Sequence, residues 1–108
     1  MKLYDTTVMY QEIPQQFAEV LTTIAEVPVM QAFLRDVMTE KEIIEISARF
    51  EAARMLLAGE SYTNIIKRTN LSSRTVARIS DWLQNGSGGY RSAIDNLHHA
   101  HIPPDLST

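Results

Sequence analysis

From Pro14 to Leu83, apolar side chains return at intervals of three and four, the period of a helix with one buried face, and this predicts an all-α protein. Phe17, Val20, Leu21 and Ile24 share one face of a helix that Pro14 opens and that runs to about Ala25. Pro28 opens a second helix, which carries Val29, Met30, Phe33, Leu34 and Val37. In Thr39-Glu-Lys-Glu42 the Thr39 hydroxyl and the Glu42 carboxylate are spaced to satisfy each other's backbone N–H, the reciprocal cap that begins a helix. The helix it begins spans about 40–58 and stops at Gly59.

That central helix carries Ile43, Ile46, Phe50 and Leu57 on one side, and Ile44, Ala48, Ala52 and Met55 over much of the other. A helix apolar nearly all round has to be covered nearly all round. The other helices of a 108-residue chain are too short for that task, so a second copy is expected to supply the missing surface. In this homodimer the N-terminal helices of one subunit, about 6–37, pack on the central helix of its partner. The alternative is a monomer whose two N-terminal helices wrap both sides.

Between Tyr62 and Ser80 the pattern changes to two short helices around a tight turn. Ile65, Ile66 and Thr69 face inward on the first, while Asn64, Lys67 and Arg68 face out. Asn70 ends it, because asparagine tolerates the left-handed backbone such a turn requires. Leu71 plugs the corner, Ser72 caps the next helix, and that helix opens near Ser73. Its stripe is Val76, Ile79 and Leu83, with Arg74, Arg78 and Asp81 pointing away. Together the two helices, about 62–84, form a helix-turn-helix.

A helix entering the DNA major groove needs short side chains at its N-terminal end and a few long donors for base edges and phosphates. Ser72, Ser73, Arg74 and Thr75 supply that mixture. Asn64, Lys67, Arg68 and Arg78 complete the expected DNA-binding set on double-stranded DNA. The alternative is an ordinary surface hairpin whose arginines are only solvated.

Net charge is -3, which at first argues against DNA. Position reverses the argument: residues 1–60 carry five Lys/Arg against ten Asp/Glu, whereas residues 61–108 carry five against three. The basic excess lies with the helix-turn-helix. So small an excess predicts weak general affinity for DNA, leaving specificity to geometry and to pairing of two motifs. The chain has no cysteine, which excludes disulfides, thiol catalysis and Cys-based zinc sites and fits a cytoplasmic protein. No signal peptide is evident, and charge interrupts every apolar run short of the roughly 20 residues that span a bilayer, so no membrane association is expected.

The order of elements also carries a resemblance. It rests on Met38-Thr-Glu-Lys-Glu42, Ile46-Ser-Ala-Arg-Phe50, Arg54-Met-Leu-Leu-Ala-Gly-Glu60, Tyr62-Thr63, Ser72-Ser-Arg-Thr-Val-Ala-Arg78 and Asn85-Gly-Ser-Gly-Gly-Tyr90. Over these runs, about half of the chain, it resembles the Trp repressor superfamily, and in particular its YerC/YecD-type branch. The resemblance implies an intertwined all-helical homodimer that presents two recognition helices to successive major grooves and acts as a repressor. It also implies a candidate small-ligand pocket at Thr39, Arg49, Thr75 and Arg78, the positions that match the corepressor site of the Trp repressor. Ile79 departs from that pattern, standing where the corepressor-binding branch has glycine. Residue chemistry offers other roles as well, since Arg49 follows Glu45 at the spacing of a helical ion pair and Thr39 is already a cap.

Little else in the chain carries chemistry. His98, His99 and His101 form a tract of the kind that binds metal, but they lie between Gly86-Ser-Gly-Gly89 and Pro103-Pro104 in a stretch of little periodicity. Residues 86–108 are therefore read as a Gly-rich linker and loosely ordered tail behind a single helical domain at 1–85. Trp82 is expected to pack at a subunit contact, and Tyr90 to anchor the chain after the turn. No nucleophile–base pair, phosphate-cradling glycine loop or metal-ligand spacing emerges, so no enzyme, catalytic residue, metal or cofactor is expected. The competing function is a protein-interaction module that keeps the fold and uses its acidic first half as a contact surface.

Overall fold

Helix boundaries in this protein are set by a few residues whose backbone or side chain satisfies the groups that a helix end leaves unpaired. This computed structural model describes residues 11–100, with side chains through His98, and among them it forms six helices and no strand. The helices are α1 (Ile13–Thr23), α2 (Val27–Val37), α3 (Glu40–Leu57), α4 (Tyr62–Thr69), α5 (Ser73–Asn85) and α6 (Gly89–Ala100). They fall into two compact units, Met1–Ile43 and Ile44–Thr108, with α3 continuous across the division.

In the first unit Pro14 and Pro28 each stand at the second residue of their helix, where a missing N–H costs nothing. The expected span of about 6–37 for these helices is thus realised as two helices starting at Ile13, and residues 6–10 lie outside the described residues. Phe17 and Phe33 stack with ring centroids 6.1 Å apart, joining α1 to α2. Neither helix buries a single residue. The expected cap is present at the head of α3: Glu42 N–H donates to Thr39 Oγ1 at 3.1 Å, and Thr39 N–H donates to Glu42 Oε1 at 2.8 Å. These bonds from Thr39 hold the Glu42 carboxyl below its ordinary range.

The second unit holds the core. Ala52, Ala53 and Met55 of α3 meet Ile65 of α4, Val76, Ile79 and Leu83 of α5, and Ile94 of α6. Helix α3 closes on Gly59, whose φ of 84° places it in the left-handed region that glycine enters without strain. There Glu60 N–H donates to Met55 O, and Gly59 N–H to Leu56 O, both at 3.0 Å, which satisfies carbonyls that the helix end would otherwise orphan. In the first half of α3, Ile43 is half-buried, whereas Ile44 is 61% exposed and Ile46 is 54% exposed among the described residues.

Helix α6 corrects the reading of linker and loosely ordered tail over residues 89–100. Residues 89–100 are helical because Tyr90, Ile94 and Leu97 recur at spacings of four and three, enough to dock one face. Ile94 is buried, Tyr90 packs against the core, and Arg91 Nε donates to Leu83 O at 3.0 Å, tying α6 to the end of α5. The anchoring role expected of Tyr90 is met inside this helix. His98 is exposed near its end, and His101 and the rest of 101–108 lie outside the described residues.

Candidate nucleic-acid interface

Ser61 at the head of α4, and Thr69, Asn70, Leu71 and Ser72 between α4 and α5, set the geometry of the helix-turn-helix. Ser61 caps α4 by accepting from Asn64 N–H at 3.2 Å. At the other end Asn70 takes φ 60° and ψ 19°, the left-handed conformation expected of it, and donates its N–H to Ile66 O at 2.8 Å. Thr69 Oγ1 donates to Ile65 O at 2.7 Å and accepts from Leu71 N–H at 3.3 Å, so this hydroxyl stitches the corner that Leu71 half-fills. Ser72 then caps α5 by accepting from Thr75 N–H at 3.1 Å, and its hydroxyl also bonds Thr75 Oγ1 at 3.0 Å. Each cap of this kind contributes about 1 kcal/mol.

Packing fixes which way the two helices face. Ile65, Val76 and Ile79 are fully buried and Leu83 nearly so, as their stripe predicts. On the opposite side of α5 stand Ser73, Arg74 and Arg78, all exposed, and on the outer side of α4 stand Asn64, Lys67 and Arg68, also exposed. Thr75 is half-buried at the edge.

The charged groups of this unit divide into two sets. Arg49 pairs with Glu45 at 3.2 Å, Arg54 forks onto Glu51 through two bonds of 2.8 Å, Arg68 Nε also donates to Glu51, and Arg91 is bound to Leu83 O. Lys67, Arg74 and Arg78 form no ion pair or side-chain hydrogen bond among the described residues. The Glu51 carboxyl is held down to about 2 by the hydrogen bonds of Arg54, with Arg68 adding to the effect. Asn64 is partly engaged, since its Nδ2 donates to Glu60 Oε1 at 3.2 Å.

The candidate ligand residues are distributed differently. Thr39 belongs to the first unit and serves there as a cap, whereas Arg49, Thr75 and Arg78 belong to the second. Arg49 Nε is buried without a hydrogen-bond partner. Ile79 is wholly committed to the core. A solvent-open cleft of about 500 Å³ does exist, but at the far end of α5, between Trp82, the Gly86–Gly89 loop, Tyr90 and Ala93. None of the four candidate ligand residues lines it. Sequence periodicity missed this cleft because part of its wall, Gly89, Tyr90 and Ala93, comes from α6. Among the described residues no group of His, Asp and Glu could hold a metal ion, and no helix is long and apolar enough to cross a membrane.

Comparison with known proteins agrees with the fold. Residues 9–98 match the family model for the Trp repressor protein. The Uncharacterized protein YerC of Bacillus subtilis (strain 168) is 31% identical over 87 residues, covering 81% of this chain and 83% of that protein. Among solved structures, a TrpR-like protein from Eubacterium eligens ATCC 27750 superposes with a TM-score of 0.75 at 28% identity, covering 91% of this chain and 100% of that one. The fold is also that of a putative Trp repressor from Staphylococcus aureus, with a TM-score of 0.78 at 21% identity over 92% of this chain and 99% of that one. With the helix-turn-helix, the long preceding helix and the match over residues 9–98 in agreement, this chain belongs to the Trp repressor family.

Proposed function

We propose that this protein is a homodimeric, sequence-specific DNA-binding regulator of transcription, acting as a repressor through α4 and α5. One observation carries the reading: in a unit where every other arginine is engaged, Lys67, Arg74 and Arg78 have no partner among the described residues and stand on the outward face of a capped helix-turn-helix. A surface hairpin stabilised for its own sake gains from pairing its cations, whereas a phosphate- and base-reading face gains from leaving them free. Ser72 and Ser73 keep the approach to the start of α5 shallow. Asn64, Ser72, Ser73, Arg74, Thr75 and Arg78 are the proposed groove contacts, and Lys67 a phosphate contact.

The homodimer is supported by what the chain leaves uncovered. Helices α1 and α2 bury nothing, and their apolar residues Ile13, Phe17, Val20, Val27, Val29 and Val37 are exposed together with Ile44 and Ile46 of α3. Apolar surface on this scale calls for a partner, and a second copy offers the same helices in return. Two recognition helices then address half-sites about one turn of DNA, roughly 34 Å, apart.

Selection from a random duplex pool tests the proposal. It is expected to yield a pseudo-palindrome with half-sites about 10 base pairs apart, centre to centre; recovery of unenriched sequence would contradict it.

The unpartnered Nε of Arg49 favours one addition, a small anionic ligand that modulates DNA affinity. Calorimetric titration with tryptophan and other amino acids tests it, and absence of heat together with unchanged DNA affinity would remove it.

A further inference from the structure

Arg68 shares the exposed side of α4 with Lys67, yet the structure gives the two residues different surroundings. Arg68 Nε donates to Glu51 Oε2, a contact between residues 17 apart that joins α4 to α3. Glu51 is itself held: its side chain is 24% exposed, and Arg54 grips both of its oxygens from the same helix. The next two residues, Ala52 and Ala53, are fully buried against the core that includes Ile65. At about 100° per residue, Arg68 lies about 60° around α4 from the buried Ile65, and Lys67 about 160° from it. Arg68 therefore borders the α3–α4 contact, while Lys67 stands opposite.

A phosphate seated on Arg68 would come close to the Glu51 carboxylate, and like charges in proximity repel. We infer that Arg68 is a positioning residue, which braces α4 onto α3 through Glu51 and so sets the attitude of the helix-turn-helix, without itself contacting DNA. The inference rests on the DNA-binding reading above and refines its residue set. Arg54 serves the strap by orienting Glu51. Ala52 and Ala53 offer little side chain to the core they share with Ile65, and the ion pair at its edge adds a directional constraint to that apolar packing.

Anisotropy titrations with a selected operator and with a random duplex test the inference, each performed over a range of salt at a temperature where circular dichroism shows every variant folded. In Arg68→Ala, operator affinity is expected to fall about tenfold while random-duplex affinity and the salt slope stay as in the parent. The charge swap Glu51→Arg with Arg68→Glu, made together with Arg54→Gln so that no like charge faces the new arginine, is expected to restore operator affinity to within about twofold, which no phosphate contact would permit. Equal losses on both duplexes with a slope reduced by about one would identify a phosphate contact and overturn the inference, as would unchanged operator affinity.

Should a charge-swap variant fail to fold, Arg68→Gln gives the same contrast of slope and selectivity. Amide exchange across residues 62–69 reads the strap without DNA: faster exchange in Arg68→Gln supports it, and unchanged exchange overturns it. Failure of the parent chain to bind any duplex would overturn the functional reading instead, with the exchange result still deciding the strap.

Discussion

Arg68 on α4 and Glu51 on α3 form an ion pair between residues 17 apart, and Arg54 holds the same carboxylate from the other side. Held chiefly by the Arg54 hydrogen bonds, with Arg68 adding to them, Glu51 gives this small unit a pH dependence of defined sign. Glu51 is depressed from 4.5 to about 2 in the folded chain, so its contribution is complete above the unfolded value and is lost as pH falls through that interval. Thermal unfolding followed from pH 6 to pH 2 is expected to show falling stability, with a shallower fall in Glu51→Gln. At neutral pH that variant is expected to lose about 1 kcal/mol, the scale of a partly exposed charge network.

Ser72 is the cap on which the first turn of α5 depends. Replacing it with alanine removes the acceptor for Thr75 N–H and is expected to cost about 1 kcal/mol, whereas glycine at the same position costs only a few tenths. Urea unfolding measures both, and an unchanged stability in Ser72→Ala would show that the hydroxyl is not the cap.

Asn70 sits at φ 60°, where glycine is at ease and a β-branched residue is not. Asn70→Gly is expected to be close to neutral. Asn70→Val is expected to lose about 1–3 kcal/mol by the same unfolding assay, because the strained backbone sits between two packed helices.

Gly86 is required for a different reason. A Cβ there would lie 2.4 Å from the Trp82 carbonyl oxygen, although the backbone at φ -86° is ordinary. Gly86→Ala is expected to distort the last turn of α5, altering Trp82 fluorescence. An unchanged spectrum and unchanged stability would count against the tight junction.

Much of the helix-turn-helix was legible because its determinants are local. The Asn70 turn, the Ser72 cap, the Thr39–Glu42 reciprocal cap and the Val76, Ile79, Leu83 stripe each depend on neighbours within one or two turns of helix. Helix α6 was obscured by its flanks, since Gly86-Ser-Gly-Gly89 and the histidines surround a stripe only three residues long, and docking of Ile94 decides the outcome. The Arg68–Glu51 pair is invisible to periodicity, because partners 17 apart meet only once α3 and α4 have packed. The same limit explains why Arg68 reads in sequence as one more outward cation beside Lys67.

Whether the outward face of α5 reads DNA is decided by anisotropy of a labelled operator duplex titrated with the parent chain and with Arg74→Ala. The parent is expected to bind with an affinity that falls steeply as salt rises, and Arg74→Ala to lose about 1–3 kcal/mol, or roughly 5- to 150-fold, with relaxed sequence preference. Full-strength, equally selective binding by Arg74→Ala would contradict the assignment of α5 as the recognition helix.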